Sequence, residues 1–150
     1  MAILDSIIAR AKQNKQRIVL PEGTEERTLK AADQILAEGI ANIILLGNPN
    51  EINKLASEFG LKNISKATII DPENNPNSQK YIDLLLQLRQ RKGLQPEQAV
   101  ELVKDPLYLA CLLVKAGDAD GEVAGAKNYT GNVLRPAFQI IKTRQGAKCV

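Results

Sequence analysis

Histidine and tryptophan are absent from the 150 residues, only two cysteines occur, and aromatic residues make up 3%. Without histidine no zinc centre of the Cys/His kind can be built, and no histidine base can come from this chain. Cys111 and Cys149 form no CxxC pair, and Cys111 lies in an apolar run, where a small buried thiol is the simplest reading. With so few aromatics, Leu, Ile, Val and Ala must fill the core. The stacking platforms of a single-strand nucleic-acid groove are missing as well. No excess of one charge makes up for them. Lys and Arg number 20 against 17 Asp and Glu, a net charge of +3, and the basic residues are scattered, so no nucleic-acid partner is expected. No GxGxxG follows the first apolar run, and no GxxxxGK[ST] occurs, which removes the usual support for a nucleotide-binding loop. Long apolar runs are lacking too. The N-terminus, MAILDSIIARAKQNKQR, is interrupted early by charge and carries no small-residue cleavage site. The expectation is a cytoplasmic protein with no signal peptide, no membrane span and no metal.

What is present suits one α/β domain. Hydrophobic residues are 44% and charged residues 25% of the chain, ordinary for a globular protein of this length. Ile3, Leu4, Ile7, Ile8 and Ala11 recur at helical spacing and predict an amphipathic helix. Ile18-Val19-Leu20, stopped by Pro21-Glu22-Gly23, predicts a buried strand. Thr24 is the expected cap of the next helix, with Glu25 and Glu26 in its first turn and Gly39 at its end. Further strands are predicted at Ile43–Leu46, Ala67–Ile70 and Gly121–Ala124. Helices are predicted over about 49–59, 78–91 and 96–104. Another begins at Asp105 and Pro106, and its body, Leu107 to Val114, is apolar on nearly every face. The last is predicted over Val133–Lys142, capped by Asn132. Short continuous apolar strands alternating with helices argue for a three-layer α/β/α domain with a mainly parallel sheet.

In such sheets ligands bind beyond the carboxyl ends of the strands. Two loops qualify, Pro21–Thr24 and Gly125–Asn132. The second is the better candidate. Gly125, Ala126 and Gly131 are small enough for close approach to the backbone, Asn128, Tyr129 and Thr130 carry donors, and a helix starts there. Arg135, one turn further on, carries a planar fork suited to phosphate. The alternative is a polar loop with a solvated arginine. Arg89 closes its helix beside Gln90-Arg91-Lys92-Gly93, where cations also favour a helix end for electrostatic reasons alone. Glu25-Glu26-Arg27 reads as helix-start electrostatics, and Glu122 as a carboxylate facing either the sheet edge or the cleft.

Taken in order, Val19-Leu20-Pro21-Glu22-Gly23 with Glu26-Arg27, Leu88-Arg89-Gln90-Arg91-Lys92-Gly93, Gly117 to Ala126, and Leu134-Arg135-Pro136-Ala137-Phe138-Gln139-Ile140-Ile141-Lys142-Thr143 resemble the phosphate acetyltransferase and phosphate butyryltransferase family. The blocks cover almost the whole chain. The resemblance implies a two-domain architecture related to isopropylmalate dehydrogenase, with an active site between the domains. Residues 1–150 would be the N-terminal domain, the second being absent. It also implies transfer of an acyl group between coenzyme A and phosphate, with no cofactor beyond those substrates. Acetyl-CoA and phosphate would give acetyl phosphate and coenzyme A, or a butyryl group would be carried instead. Arg89 and Arg135 match arginines that bind coenzyme A or phosphate, and Thr130 matches a hydroxyl in the loop that shapes the site; Asn128 and Asn132 complete the expected substrate-binding set.

The loop departs from the family pattern. Where the usual run carries His, then Ser or Thr, and an Asp before Leu-Arg-Pro, this chain has Asn128-Tyr129-Thr130-Gly131-Asn132. The family's catalytic serine, arginine and aspartate lie in the second half, and Cys149–Val150 falls where a strand should lead into it. The resemblance therefore implies half an enzyme, inactive alone, whose partner is a second copy or a separate second half. The other reading is a non-catalytic domain that keeps the fold and the anion site.

Overall fold

The computed structural model describes residues 1–148; the strand expected at Cys149–Val150 lies outside them. The elements run in chain order as α1 (Ala2–Gln13), β1 (Arg17–Leu20), α2 (Glu26–Glu38), β2 (Asn42–Leu46), α3 (Pro49–Glu58), β3 (Thr68–Ile70), α4 (Ser78–Arg89), α5 (Pro96–Val103), α6 (Pro106–Ala116), β4 (Gly121–Glu122) and α7 (Thr130–Pro136). The four strands form one parallel sheet in the order β3-β2-β1-β4. The α/β class and the parallel sheet thus follow the sequence reading.

Alternation along the strands divides the core in two. Leu20, Ile43 and Leu45 pack with Leu29 and Ala32 of α2 and Ile52 and Ala56 of α3. Val19, Ile44 and Leu46 pack against Tyr81 and Leu85 of α4, Ala99 and Val103 of α5, and Leu109 to Leu113 of α6. Helix α6 is buried from Leu107 through Leu113, as its nearly uniform apolar surface predicts. Its start is fixed by Asp105, whose carboxylate accepts the Leu107 N–H at 2.9 Å, and by Pro106, whose missing N–H costs nothing there. Gly117, at φ 82°, ends it in a left-handed turn.

Several boundaries differ from the sequence reading. Thr24 does not cap α2; Glu25 does, accepting the Thr28 N–H at 2.8 Å. A carboxylate is the stronger acceptor at a helix start, where the dipole adds to the hydrogen bond. Helix α4 stops at Arg89 and continues as a 3₁₀ turn over Gln90–Lys92. Strand β4 covers only two of its four expected residues. Among the described residues it pairs with β1 alone, and just beyond it the Val123 N–H still donates to the Val19 carbonyl at 3.2 Å. Asn132 does not cap the last helix. Helix α7 begins at Thr130 with Tyr129 as its cap residue, so Asn132 lies in its first turn. Nor does the α-helix reach Lys142. Pro136 has no N–H to donate, and the helix widens after it into a π-helical turn over Ala137–Ile141.

Helix α1 forms as its periodicity predicts, but no residue of it is buried. Ile3 is 77% exposed, Leu4 51% and Ile7 54%, so its apolar stripe faces solvent.

Candidate functional site

The carboxyl ends of β1, β2 and β3 open onto a cleft of ≈ 380 Å³ whose walls include Pro21, Glu22, Gly47, Asp71, Asp105 and Asn128. Gly23 lets the β1 end approach β2. Its N–H donates to the Leu46 carbonyl at 3.1 Å, and a Cβ there would stand 2.4 Å from that oxygen. The cleft is mainly acidic. Glu22, Glu51, Asp71, Glu73 and Asp105 line it against Lys104 and Lys127. By charge alone this wall does not attract an anion.

The cations gather elsewhere. A second pocket, of ≈ 290 Å³, is lined by Leu85, Arg89, Lys92, Gly93, Leu94, Gln98, Leu102, Tyr108 and Gln139, and no acidic residue is among them. Tyr108 is 9% exposed and donates its hydroxyl to the Gln139 side-chain oxygen at 3.0 Å. Burial pushes the Tyr108 phenol up, and the positive charges of Arg135 and Arg89 both pull against that rise. Arg89, at the end of α4, lines this pocket with Tyr108; Arg135, on α7, is not among its lining residues. Neither arginine has a side-chain hydrogen bond or ion pair among the described residues, whereas Arg17 and Arg27 are each paired with a carboxylate. Arg89 is half-buried and Arg135 exposed. A half-buried arginine without an ion pair, with Lys92 beside it and no neutralising carboxylate in the pocket, suits an anionic ligand, phosphate above all.

The loop after β4 is arranged differently from its sequence reading. The backbone donors of its first half, Gly125 to Asn128, do not point outward. The Glu22 carboxylate, on a residue only 6% exposed, takes these four. Oε1 accepts the N–H groups of Gly125 and Ala126 at 2.7 and 2.9 Å, and Oε2 those of Lys127 and Asn128 at 2.5 and 2.8 Å. The Asn128 amide adds a bond at 3.1 Å. A buried carboxylate must find donors, and successive backbone N–H groups form a nest that supplies them. Burial alone would raise the Glu22 carboxyl; these four backbone bonds hold it below the ordinary carboxylate range. On the other side of the loop the Arg27 guanidinium donates to the Ala126 carbonyl. Asn128 is thus committed to Glu22 while still lining the cleft. Thr130 and Asn132 are exposed on α7 and free of side-chain hydrogen bonds among the described residues.

Glu122 settles toward the interior. It lies beside Val19 in the parallel register and receives the Cys111 thiol at 3.2 Å. Its Oε1 is buried without a partner among the described residues. Burial raises the Glu122 carboxyl, the thiol bond opposes this, and the charge of Glu22 adds to the rise. Cys111 is free and fully buried, and burial pushes its thiol well above the ordinary range. No group of three or more His, Cys, Asp or Glu able to hold a metal ion occurs among the described residues. Among them no helix is long and apolar enough to cross a membrane.

Sequence reasoning placed Arg89, Asn128, Thr130, Asn132 and Arg135 in one set. The structure places Arg89 in a pocket with Tyr108, leaves Thr130, Asn132 and Arg135 exposed on α7, and ties Asn128 to Glu22. Sequence reasoning named the Pro21–Thr24 loop without singling out Glu22 in it, and did not pick out Tyr108, Lys92 or Gln139, which line the pocket with Arg89. An acid between proline and glycine directly after a buried strand, opposite a Gly-Ala loop with no side-chain acceptor of its own, was the available signal for Glu22. For Tyr108 it was a hydroxyl inside an otherwise apolar helix, which must find a partner.

Known proteins are similar to this chain in both sequence and fold. The phosphate acetyltransferase of Thermoanaerobacterium thermosaccharolyticum is 54% identical over all 150 residues, which make up 45% of that enzyme. That of Clostridium acetobutylicum is 47% identical, again over the whole chain and 45% of the relative. The crystal structure of a phosphotransacetylase from Streptococcus pyogenes superposes with a TM-score of 0.91 at 33% identity, covering 97% of this chain and 44% of that one. The EutD phosphotransacetylase from Staphylococcus aureus gives 0.90 at 36% identity, over 99% and 44%. The chain spans less than half the length of these relatives. Since the family model for phosphate acetyl/butaryl transferase matches residues 2–150 without a break, the chain belongs to that family.

Proposed function

We propose that this chain is the N-terminal domain, three-layered and isopropylmalate dehydrogenase-like, of a two-domain phosphate acyltransferase. The complete enzyme would convert acetyl-CoA and phosphate to acetyl phosphate and coenzyme A, reversibly. The observation that carries the reading is that Arg89 and Arg135 have no ion pair among the described residues, and that Arg89 and Lys92 line a pocket with no carboxylate. A phosphate oxygen attacks the thioester carbonyl carbon, the tetrahedral oxyanion collapses, and the C–S bond breaks to release the coenzyme A thiolate. The contribution of this chain is to hold the anionic substrate. Arg89 and Arg135 grip phosphate or a phosphate of coenzyme A, and Thr130 and Asn132 offer further donors on the same helix as Arg135. Fixing the nucleophile in this way is worth much of the barrier, and cations near the oxyanion stabilise it.

The chain alone supplies one wall of such a cleft. We therefore expect it to bind anions without turnover, and to act only with the second half, whether in a dimer or on the same polypeptide. The acetyl group is favoured over butyryl because the relatives described above are phosphate acetyltransferases. The test is acetyl phosphate formation by the chain alone, and by the chain joined to the C-terminal portion of the Thermoanaerobacterium enzyme, with that whole enzyme as control. The joined protein should be active and the chain alone no better than the uncatalysed rate. An inactive joined protein that is properly folded overturns the reading; activity of the isolated chain overturns its incompleteness.

A further inference from the structure

Glu22 has no place in the binding scheme above, yet among the described residues it is the buried charged side chain. No lysine or arginine pairs with it among those residues. Its charge is met by the N–H groups of Gly125 to Asn128 and the Asn128 amide. Leaving a carboxylate buried and uncompensated is costly, so Glu22 and the loop hold each other in place. Glu22 follows directly from β1, the strand between β2 and β4 in the sheet. The loop has little stiffness of its own. Gly125 sits at φ 116°, a conformation open to glycine and costly for other residues. From α2, Arg27 seizes the Ala126 carbonyl. One tether comes from the β1–α2 connection and the other from the first turn of α2, and both grip the segment that leads into α7. Beyond that segment stand Thr130, Asn132 and Arg135.

We propose that Glu22 is a positioning residue for the anion site: by clamping the Gly125–Asn128 backbone it sets where Thr130, Asn132 and Arg135 present their donors. The inference rests on the reading of those residues as substrate-binding. The charge matters as well as the size. Glutamine has the same shape, but only one of its terminal atoms accepts. Its amide would face the N–H groups of Lys127 and Asn128 donor to donor. The loop must then move, and α7 with it. If Glu22 served only to stabilise the fold, molecules that remain folded would bind substrate as before.

The experiment compares Glu22→Gln and Arg27→Met with the parent, all as the joined protein, at a temperature where circular dichroism shows each to be folded. A displacement of about 1 Å at a substrate-positioning element costs about 100-fold. Glu22→Gln should therefore lower kcat/KM about 100-fold, with the KM for phosphate rising. Arg27→Met should shift the same parameters in the same direction by less. In both, the backbone amide resonances of residues 126–128 should move, while those of α6 stay. Arg27 is 74% exposed along its side chain, so its variant keeps the test alive if Glu22→Gln does not fold. Wild-type KM and kcat in the folded variants, or in Arg27→Met alone when only that variant folds, overturn the inference while leaving the acyltransfer reading intact. A folded parent that makes no acetyl phosphate overturns both.

Discussion

Replacing Arg135 by alanine separates binding from folding. The guanidinium is exposed and has no hydrogen bond or ion pair among the described residues. Alanine is the best helix former, so α7 gains rather than loses intrinsic propensity. Stability should therefore stay within about 0.5 kcal/mol of the parent, the range of an exposed substitution that touches nothing special. Function should not. A charge-assisted hydrogen bond to phosphate is worth about 1.5–3 kcal/mol, which corresponds to a loss in kcat/KM of about 13- to 160-fold. Arg135→Lys should restore part of this, because it returns the charge without the planar fork. The assay is steady-state acetyl phosphate formation by the joined protein, varying phosphate and acetyl-CoA in turn, with urea unfolding of each variant alongside. Unchanged Michaelis constants and turnover in Arg135→Ala would refute the site. A fall in stability large enough to account for lost activity would refute the argument that this arginine is idle in the fold. Arg89 should behave alike in the assay, with a larger effect on stability because it is half-buried.

Leu109→Ala should cost about 2.7–5 kcal/mol in urea unfolding, since Leu109 is fully buried between α6 and the sheet; Leu4→Ala, on the exposed stripe of α1, should cost less than about 0.5 kcal/mol. Gly23→Ala should destabilise by about 1–3 kcal/mol, because a Cβ there would press on the Leu46 carbonyl; an unchanged midpoint would mean that β1 and β2 can separate freely at their ends. Glu122→Gln should remove a pH dependence. The folded carboxyl is raised, so between the unfolded value of about 4.3 and the folded one the native state holds the extra proton, and stability falls as pH rises. The variant should thus gain on the parent as pH increases from 4 to 8 in urea unfolding, and a difference that stays flat or shrinks would refute the assignment.

The α/β class was legible because its signals are local. Apolar runs at Ile18–Leu20 and Ile43–Leu46 stop at Pro21 and Gly47, and the helices between them carry caps and C-terminal glycines that act within one turn. Boundaries failed where two local preferences competed. Thr24 and Glu25 are both adequate caps, and the dipole chose the acid. The last helix failed for another reason. Asn132 is a good cap by type, but Tyr129 and Thr130 start α7 earlier, and Pro136 turns its end into a π-helical segment. The stripe of α1 forms on schedule and packs on nothing described, since periodicity specifies a face without specifying its partner.

From residue types and order alone came the strands, most of the helices, the parallel sheet, the blocks that carry the family resemblance, and Arg135 as chemically suited to phosphate; Arg89 was singled out for that role by the resemblance. Each follows from properties that a side chain or a short segment carries with it. The tertiary structure decided which groups meet. It turned the Gly125–Asn128 N–H groups inward onto Glu22, directed Glu122 to Cys111, and set Arg89 in a pocket with Tyr108 while leaving Arg135 exposed on α7. Those outcomes depend on contacts between residues as much as 106 positions apart, and on the need of each buried polar group for a partner. Spacing along the chain records neither.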